Sequence, residues 1–318
     1  MSSTNSLSDH YATAIRSLCT IAESHYYAGN TAEALRVLQA GRSLIEAKEV
    51  RSQDRIEMLL RSGKILIDNS FFSNSEFDEI ISPVLQAQEL AESEHDEQSI
   101  ATVLSLLGQA HYYKQLGTGE RNFDEARAYL QQALELYETL QDTRGMSEAF
   151  FYIGLTYEQQ HLAEQAQEYY QKAYHIAVEA QHPLERSYAA RHVSSIFFEL
   201  GDLEQALTYA LESLSLREEL GYKRYLPFSH LLVGDVYMAK KQHADALPHY
   251  HKAYELAMEL DLKNGIAFSL LSIGDVYLAN GEKTQARVYY EQADDIAREL
   301  GIAYLTTEVA EKLQRLQD

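Results

Sequence analysis

The chain of 318 residues is 46% apolar and 24% charged with only four prolines, which excludes a disordered or fibrous polypeptide and leaves a soluble, mostly helical protein. Twenty-seven basic against forty-eight acidic residues give a net charge of −21, and no basic patch interrupts it, so no nucleic acid and no membrane is expected as a partner. The one cysteine, Cys19, excludes an intrachain disulfide, and no segment has the pattern of a signal peptide or the length of a membrane span. A cytoplasmic location is the expectation.

In chain order, residues 1–9 are polar and short, and are expected to form a frayed lead. From residue 10 to 301 the chain repeats itself. Blocks starting at Ile153, Val193, Val233 and Ile273 follow one another at forty-residue spacing. Small residues mark the register: Gly154, Ser194, Gly234 and Gly274 early in each block, Ala166, Ala206, Ala246 and Ala286 twelve positions on, and Ala173, Ser213, Ala253 and Ala293 seven further. Upstream, Gly108 and Gly63 with Ala133, Ala87 and Gly41 continue the series, with two steps of forty-six. The extra residues are expected in loops around Asn69 to Ser75 and Gly117 to Asn122, where Ser, Asn and Gly cluster.

Within each block apolar residues recur at helical spacing, as in Leu270, Ile273, Tyr277 and then Ala286, Tyr290, Ala293, so each repeat reads as a helical hairpin. Small residues on both helices let their backbones approach closely. Gly201 and Gly281 suit a left-handed exit from the first helix, and Asp202 an N-cap for the second; Gly221 and Gly301 suit the turns between repeats. His161 and Lys241 stand where those glycines make the turn, at a cost of about 1 kcal/mol if the left-handed conformation is kept. Residues 302–318 place Ile302, Leu305, Val309, Leu313 and Leu316 on one stripe, as a C-terminal capping helix would.

The order Gly, Tyr, Ala, Tyr, Ala in IGDVYLANGEKTQARVYYEQA, from Ile273, resembles the tetratricopeptide repeat, in its forty-residue variety. The resemblance covers residues 10 to 301 and implies an all-α, right-handed superhelical solenoid of about seven hairpins with first helices lining the inner wall. Bacterial peptide-sensing regulators and eukaryotic spindle-orienting scaffolds share that repeat variety.

No phosphate-binding glycine loop, nucleophile elbow or zinc-protease helix occurs, and no nucleophile, base and orienter form a recognisable set, so neither an enzyme nor a cofactor is expected. His249 and His251 are two apart, which on a helix separates them, so no metal is expected. The twenty-three tyrosines fall mostly at repeat-defining positions, as packing residues do.

Counting six and three before each packing glycine and one and four after it gives one helical face turned to the inner wall. The candidate ligand-binding residues on it are Glu148, Phe151, Glu158, Tyr188, Arg191, Phe198, Phe228, Leu231, Asp235, Met238, Phe268, Leu271 and Asp275. Upstream, the same count gives Thr102, Ser105, Gln109 and Tyr112. Large apolar groups aimed at a groove suggest a bound segment; the competing reading is that some pack between adjacent helices. Asp235 and Asp275 suit an Arg or Lys of a partner, or else they are repeat consensus bonding a neighbouring helix. Paired Lys and Asn, which clamp a peptide carboxylate in some relatives, are missing here; only Arg191, with His192 and Tyr188, suits an anion.

The leading expectation is a non-catalytic protein–protein interaction scaffold that takes a peptide segment with basic and apolar residues in its groove. The alternatives are a peptide-sensing regulator acting on a separate effector protein, or a self-assembling module; a cap acting in cis predicts a monomer and an exchanged cap a weak homodimer.

Overall fold

The computed structural model describes residues 6–70, 76–118, 121–301 and 303–316; among them every regular element is helical. The chain divides into two compact units, Met1–Ala189 and Ala190–Asp318. Unit 1 holds α1 (Leu7–Tyr27), α2 (Thr31–Leu44), α3 (Ser52–Ser70), α4 (Phe77–Glu94), α5 (Glu97–Thr118), α6 (Asp124–Leu140), α7 (Thr143–Gln159), α8 (Ala163–Glu179) and the start of α9 (Pro183–Glu199). Unit 2 holds the rest of α9, then α10 (Leu203–Glu219), a 3-10 turn (Lys223–Tyr225), α11 (Leu226–Ala239), α12 (His243–Glu259), α13 (Lys263–Ala279), α14 (Lys283–Leu300) and α15 (Ala303–Arg315).

The marker glycines are explained by what lies opposite. A Cβ built on Gly154, Gly234 or Gly274 would fall 2.7, 2.4 or 2.5 Å from the ring of Tyr170, Tyr250 or Tyr290, on the second helix of the same hairpin. Each ring therefore lies against bare backbone, and the tyrosines are at most 2% exposed. Where the first helix carries Ser194 instead of glycine, the register of the tyrosine holds Ala210. A small residue on one helix thus goes with a large one on the other, or two modest ones face each other, which keeps the packed volume constant. In unit 1, Leu130 and Val84 play the tyrosine's part against Gly108 and Gly63, at 2.6 and 2.4 Å.

Hairpin turns share one geometry whatever the residue. Gly201 and Gly281 have φ of 80° and 83°, and His161 and Lys241 reach 59° and 60°. Each closes with the same pair of backbone bonds, as in Lys241 N to Met238 O and Gln242 N to Tyr237 O, both 2.9 Å. Asp202 caps α10 by accepting from the Gln205 amide.

Two expectations shift. Helix α1 begins at Leu7, inside the span read as a frayed lead, because Ser6 and Asp9 close a reciprocal capping box; residues 1–5 lie outside the described residues. Gly117 was expected in a loop, yet α5 stays helical to Thr118, so part of the extra sequence lengthens a helix. Residues 71–75, 119 and 120 of the two expected loops lie outside the described residues. In unit 2, Leu305, Val309 and Leu316 of the C-terminal helix α15 are buried to 0%, 0% and 7% exposure; Ile302 lies outside the described residues.

Replacing Gly234 with Ala should cost about 1–3 kcal/mol of unfolding free energy by driving a methyl into the Tyr250 ring. In a urea-denaturation double-mutant cycle, Gly234→Ala with Tyr250→Ala should be less damaging than the sum of the single changes, since the pair then resembles Ser194 and Ala210. Lys241→Gly should raise stability by about 0.5–1 kcal/mol, because a side chain leaves the left-handed region; an unchanged denaturation midpoint would show that the turn carries no strain.

Candidate functional site

In unit 1 the first helices α1, α3, α5 and α7 and the start of α9 line a groove of about 480 Å³. Seven carboxylates reach its lining, Glu23, Glu57, Asp68, Asp96, Asp142, Glu148 and Glu185, against three cations, Arg61, Lys64 and Arg144, so seven minus three leaves four negative charges in excess. All three cations are already engaged. Arg61 pairs with Glu23 at 2.5 Å, tying α3 to α1. Lys64 Nζ lies 3.0 Å from Asp68, 3.1 Å from Glu148 and 3.0 Å from the side-chain oxygen of Gln109, joining α3, α5 and α7. Burial alone would lower the Lys64 pKa, but Asp68 and Glu148 outweigh it and hold the ammonium well above its usual range. Arg144 Nε donates to Glu185 at 2.6 Å, tying α7 to α9.

The excess acid is not removed by these pairs. Asp142 accepts from the Arg144 and Gly145 amides as the cap of α7, and Asp96 accepts from the Ser99 amide. Glu57 has no ion-pair partner among the described residues. Of the sequence-derived face, Thr102, Glu148 and Tyr188 line this groove. The same count from Gly63 gives Glu57, Leu60 and Lys64, and all three line it too. That register was the signal for them, and it needed only to be carried one repeat further.

Other members of the face are spent on packing. Phe151 is 8% exposed, because its ring stacks on Tyr188 at 5.6 Å and meets Tyr152 and Tyr170. It is a wall between helices and not the free anchor expected. Leu231 and Leu271 in unit 2, at 8% and 7% exposure, are corrected in the same way; Leu231 sits in a cluster with Tyr250, Ala253 and Ile273. Ser105, Gln109 and Tyr112 are buried as well. Glu158 is exposed and accepts from the Tyr170 hydroxyl.

In unit 2, Arg191, Phe198, Phe228, Met238, Phe268 and Asp275 are half-buried, and Asp235 is exposed. Phe228, Met238 and Phe268 pack at the edge of the Leu231 cluster with part of each side chain still open. Arg191 Nη1 lies 3.3 Å from His192 Nε2. Tyr250 donates to Asp235 at 2.7 Å and Tyr290 to Asp275 at 2.6 Å, so each aspartate bonds the second helix of its own hairpin. Asp275 is also gripped by Lys312 of α15, at 2.8 and 3.0 Å to its two oxygens. Lys312 was not foreseen; its signal was its place forty residues after Ser272, inside the repeat register.

Asp235 is open to solvent by area, yet protein walls its carboxylate on several sides. The resulting loss of hydration, opposed by the Tyr250 bond and reinforced by the charge of Asp275, pushes its pKa up to about 6. His249 faces His230, with the Nδ1 atoms 3.0 Å apart, instead of His251. Burial, then His249, lowers the His230 pKa to about 4. Among the described residues no group of three or more His, Cys, Asp or Glu has the arrangement of a metal site. Burial pushes the Cys19 thiol up to about 12, so it is a packing residue and not a nucleophile. No helix among the described residues is long and apolar enough to cross a membrane.

Residues 225–299 match the tetratricopeptide repeat family model. No curated protein sequence matches the chain. Solved structures similar in fold include BtubC from P. vanneervenii, at 16% identity over 77% of this chain and 92% of that one, with a TM-score of 0.57. A Rap protein complexed with competence and sporulation factor aligns at 14% identity over 96% and 98%, with a TM-score of 0.54. A signal transduction ATPase with a tetratricopeptide repeat sensor, from Pyrococcus horikoshii, aligns at 15% identity over 99% of this chain and 54% of that one, with a TM-score of 0.57. Residues 225–299 are thus tetratricopeptide repeats, and the helical hairpins of both units, with the small-residue register that builds them, support a tetratricopeptide-repeat protein.

Proposed function

We propose that this protein is a non-catalytic protein–protein interaction scaffold that receives a peptide segment of a partner on the inner faces of its first helices. The observation that carries this reading is the groove of unit 1, about 480 Å³, whose lining holds seven carboxylates against three cations, all three of them already paired. Such a lining attracts a basic segment and repels an acidic one. Within unit 2 by itself, the half-open Phe228, Met238 and Phe268 offer apolar anchors for a segment bound there. A solved Rap protein with a peptide factor bound has the same fold, which supports peptide recognition as the mode of action. The same likeness supports the second reading, a regulator that passes a peptide signal to a separate effector protein.

A random-sequence peptide library panned against the protein tests the reading directly. The selected peptides should carry Lys or Arg beside apolar residues, and affinity should fall about tenfold or more, roughly 1.4 kcal/mol, in Glu57→Lys for those held by unit 1 and in Phe228→Ala for those held by unit 2, as read by isothermal titration. Raised salt should weaken binding to the wild type. Recovery of no peptide, or of peptides indifferent to both substitutions, rejects the proposal.

A further inference from the structure

Asp235 and Asp275 occupy the same register of α11 and α13, forty residues apart, and Tyr250 and Tyr290 the same register of α12 and α14. In both hairpins the tyrosine hydroxyl donates to Oδ1 of the aspartate, at 2.7 and 2.6 Å. The two slots differ in what lies over them. Helix α15 stands in the sequence register of a further first helix, and its Lys312 places Nζ 2.8 and 3.0 Å from the two oxygens of Asp275 and 6.0 Å from the centre of the Tyr290 ring. Forty residues earlier, the position of Lys312 is held by Ser272 on α13. A serine hydroxyl brings no charge to Asp235.

Asp235 is thus the counterpart of a lysine-filled slot with the lysine left out. It has no ion-pair partner among the described residues; Arg191 influences it through space without pairing. The residue is exposed by area although protein flanks its carboxylate, and the partly open Phe228, Met238 and Phe268 belong to the apolar cluster that contains Tyr250. We propose that the Asp235–Tyr250 slot is a recognition subsite for the ammonium group of a lysine in a partner's peptide, seated there as Lys312 is seated on Asp275 and Tyr290. Lysine fits better than arginine for a geometric reason. Tyr250 already uses Oδ1, so a two-pronged guanidinium would have to share that oxygen, whereas a compact ammonium approaches both oxygens from the open side. Apolar neighbours suit a peptide in which apolar residues flank the lysine.

This subsite rests on the peptide-recognition reading given above, and two experiments separate its failure from failure of that reading. The first needs no partner. Ser272→Lys should place an ammonium on Asp235 within the chain itself. The Asp235 carboxyl, followed by NMR, should then titrate below its wild-type value of about 6, and the thermal midpoint at neutral pH should rise relative to Ser272→Met. In an Asp235→Asn background the gain over methionine should vanish. An Asp235 titration unmoved by Ser272→Lys would overturn the subsite. In the second experiment, each lysine of the library-selected peptides is replaced by norleucine. One lysine should account for about a tenfold loss of affinity, and that loss should disappear in Asp235→Asn and in Ser272→Lys. Peptides that bind but show no lysine coupled to Asp235 would overturn the subsite and leave the groove reading standing. Recovery of no binding peptide would overturn both.

Discussion

A tyrosine ring packed against the bare backbone of a glycine is the contact on which the hairpins α7–α8, α11–α12 and α13–α14 depend. Gly154 with Tyr170, Gly234 with Tyr250 and Gly274 with Tyr290 leave no room for a Cβ, so the two helices of each hairpin meet at a distance fixed by one aromatic thickness. Burial of a ring of that size stabilises each pair, and the spacing then repeats because the register repeats. The same side chain has a polar tip. With its ring pinned between the helices, its hydroxyl emerges on the inner face, where Glu158, Asp235 or Asp275 accepts from it. Packing therefore delivers a hydrogen-bond donor to the groove, and an acidic residue on the first helix satisfies it.

Charge follows a related economy. A lysine as enclosed as Lys64 would be costly alone, and it is held by two carboxylates and an amide that come from its own and the next two first helices. Arg61 with Glu23 and Arg144 with Glu185 repeat the arrangement along unit 1. These pairs consume the groove's cations while leaving carboxylates in excess, which is how a chain of net charge −21 concentrates that charge on a concavity. Exposed ion pairs add little stability, so the main effect of the arrangement is on what the groove attracts.

Periodicity made the hairpins legible in the sequence. Small residues every forty positions gave the helices and their pairing, and the count from each glycine located the inner face, including Thr102, Glu148 and Tyr188. The same count could not tell which residues on that face remain accessible. Phe151 is sealed by Tyr188 and Tyr170, which depends on where neighbouring rings come to rest and not on its own register. The extra turns of α5 read as a loop because Gly117 resembles a loop residue, and the cap at Ser6 reads as part of a frayed lead because residues 1–9 are polar and short. Arg217 looks like an ordinary surface cation in sequence, yet it is 1% exposed and donates to Ser229.

Helix α15 carries the repeat register past the hairpin α13–α14. It occupies the register of a first helix, with Leu305, Val309 and Leu316 buried. The position forty residues after Gly274 is Gln314, an exposed residue with a side chain, so the contact of a tyrosine ring on bare glycine backbone is not repeated at this register. Lys312 meanwhile neutralises Asp275, a carboxylate that would otherwise meet the cap unpaired. Leu305, Val309, Lys312 and Leu316 share one face of α15, so the same face that lays apolar side chains against α14 also brings the cation to Asp275.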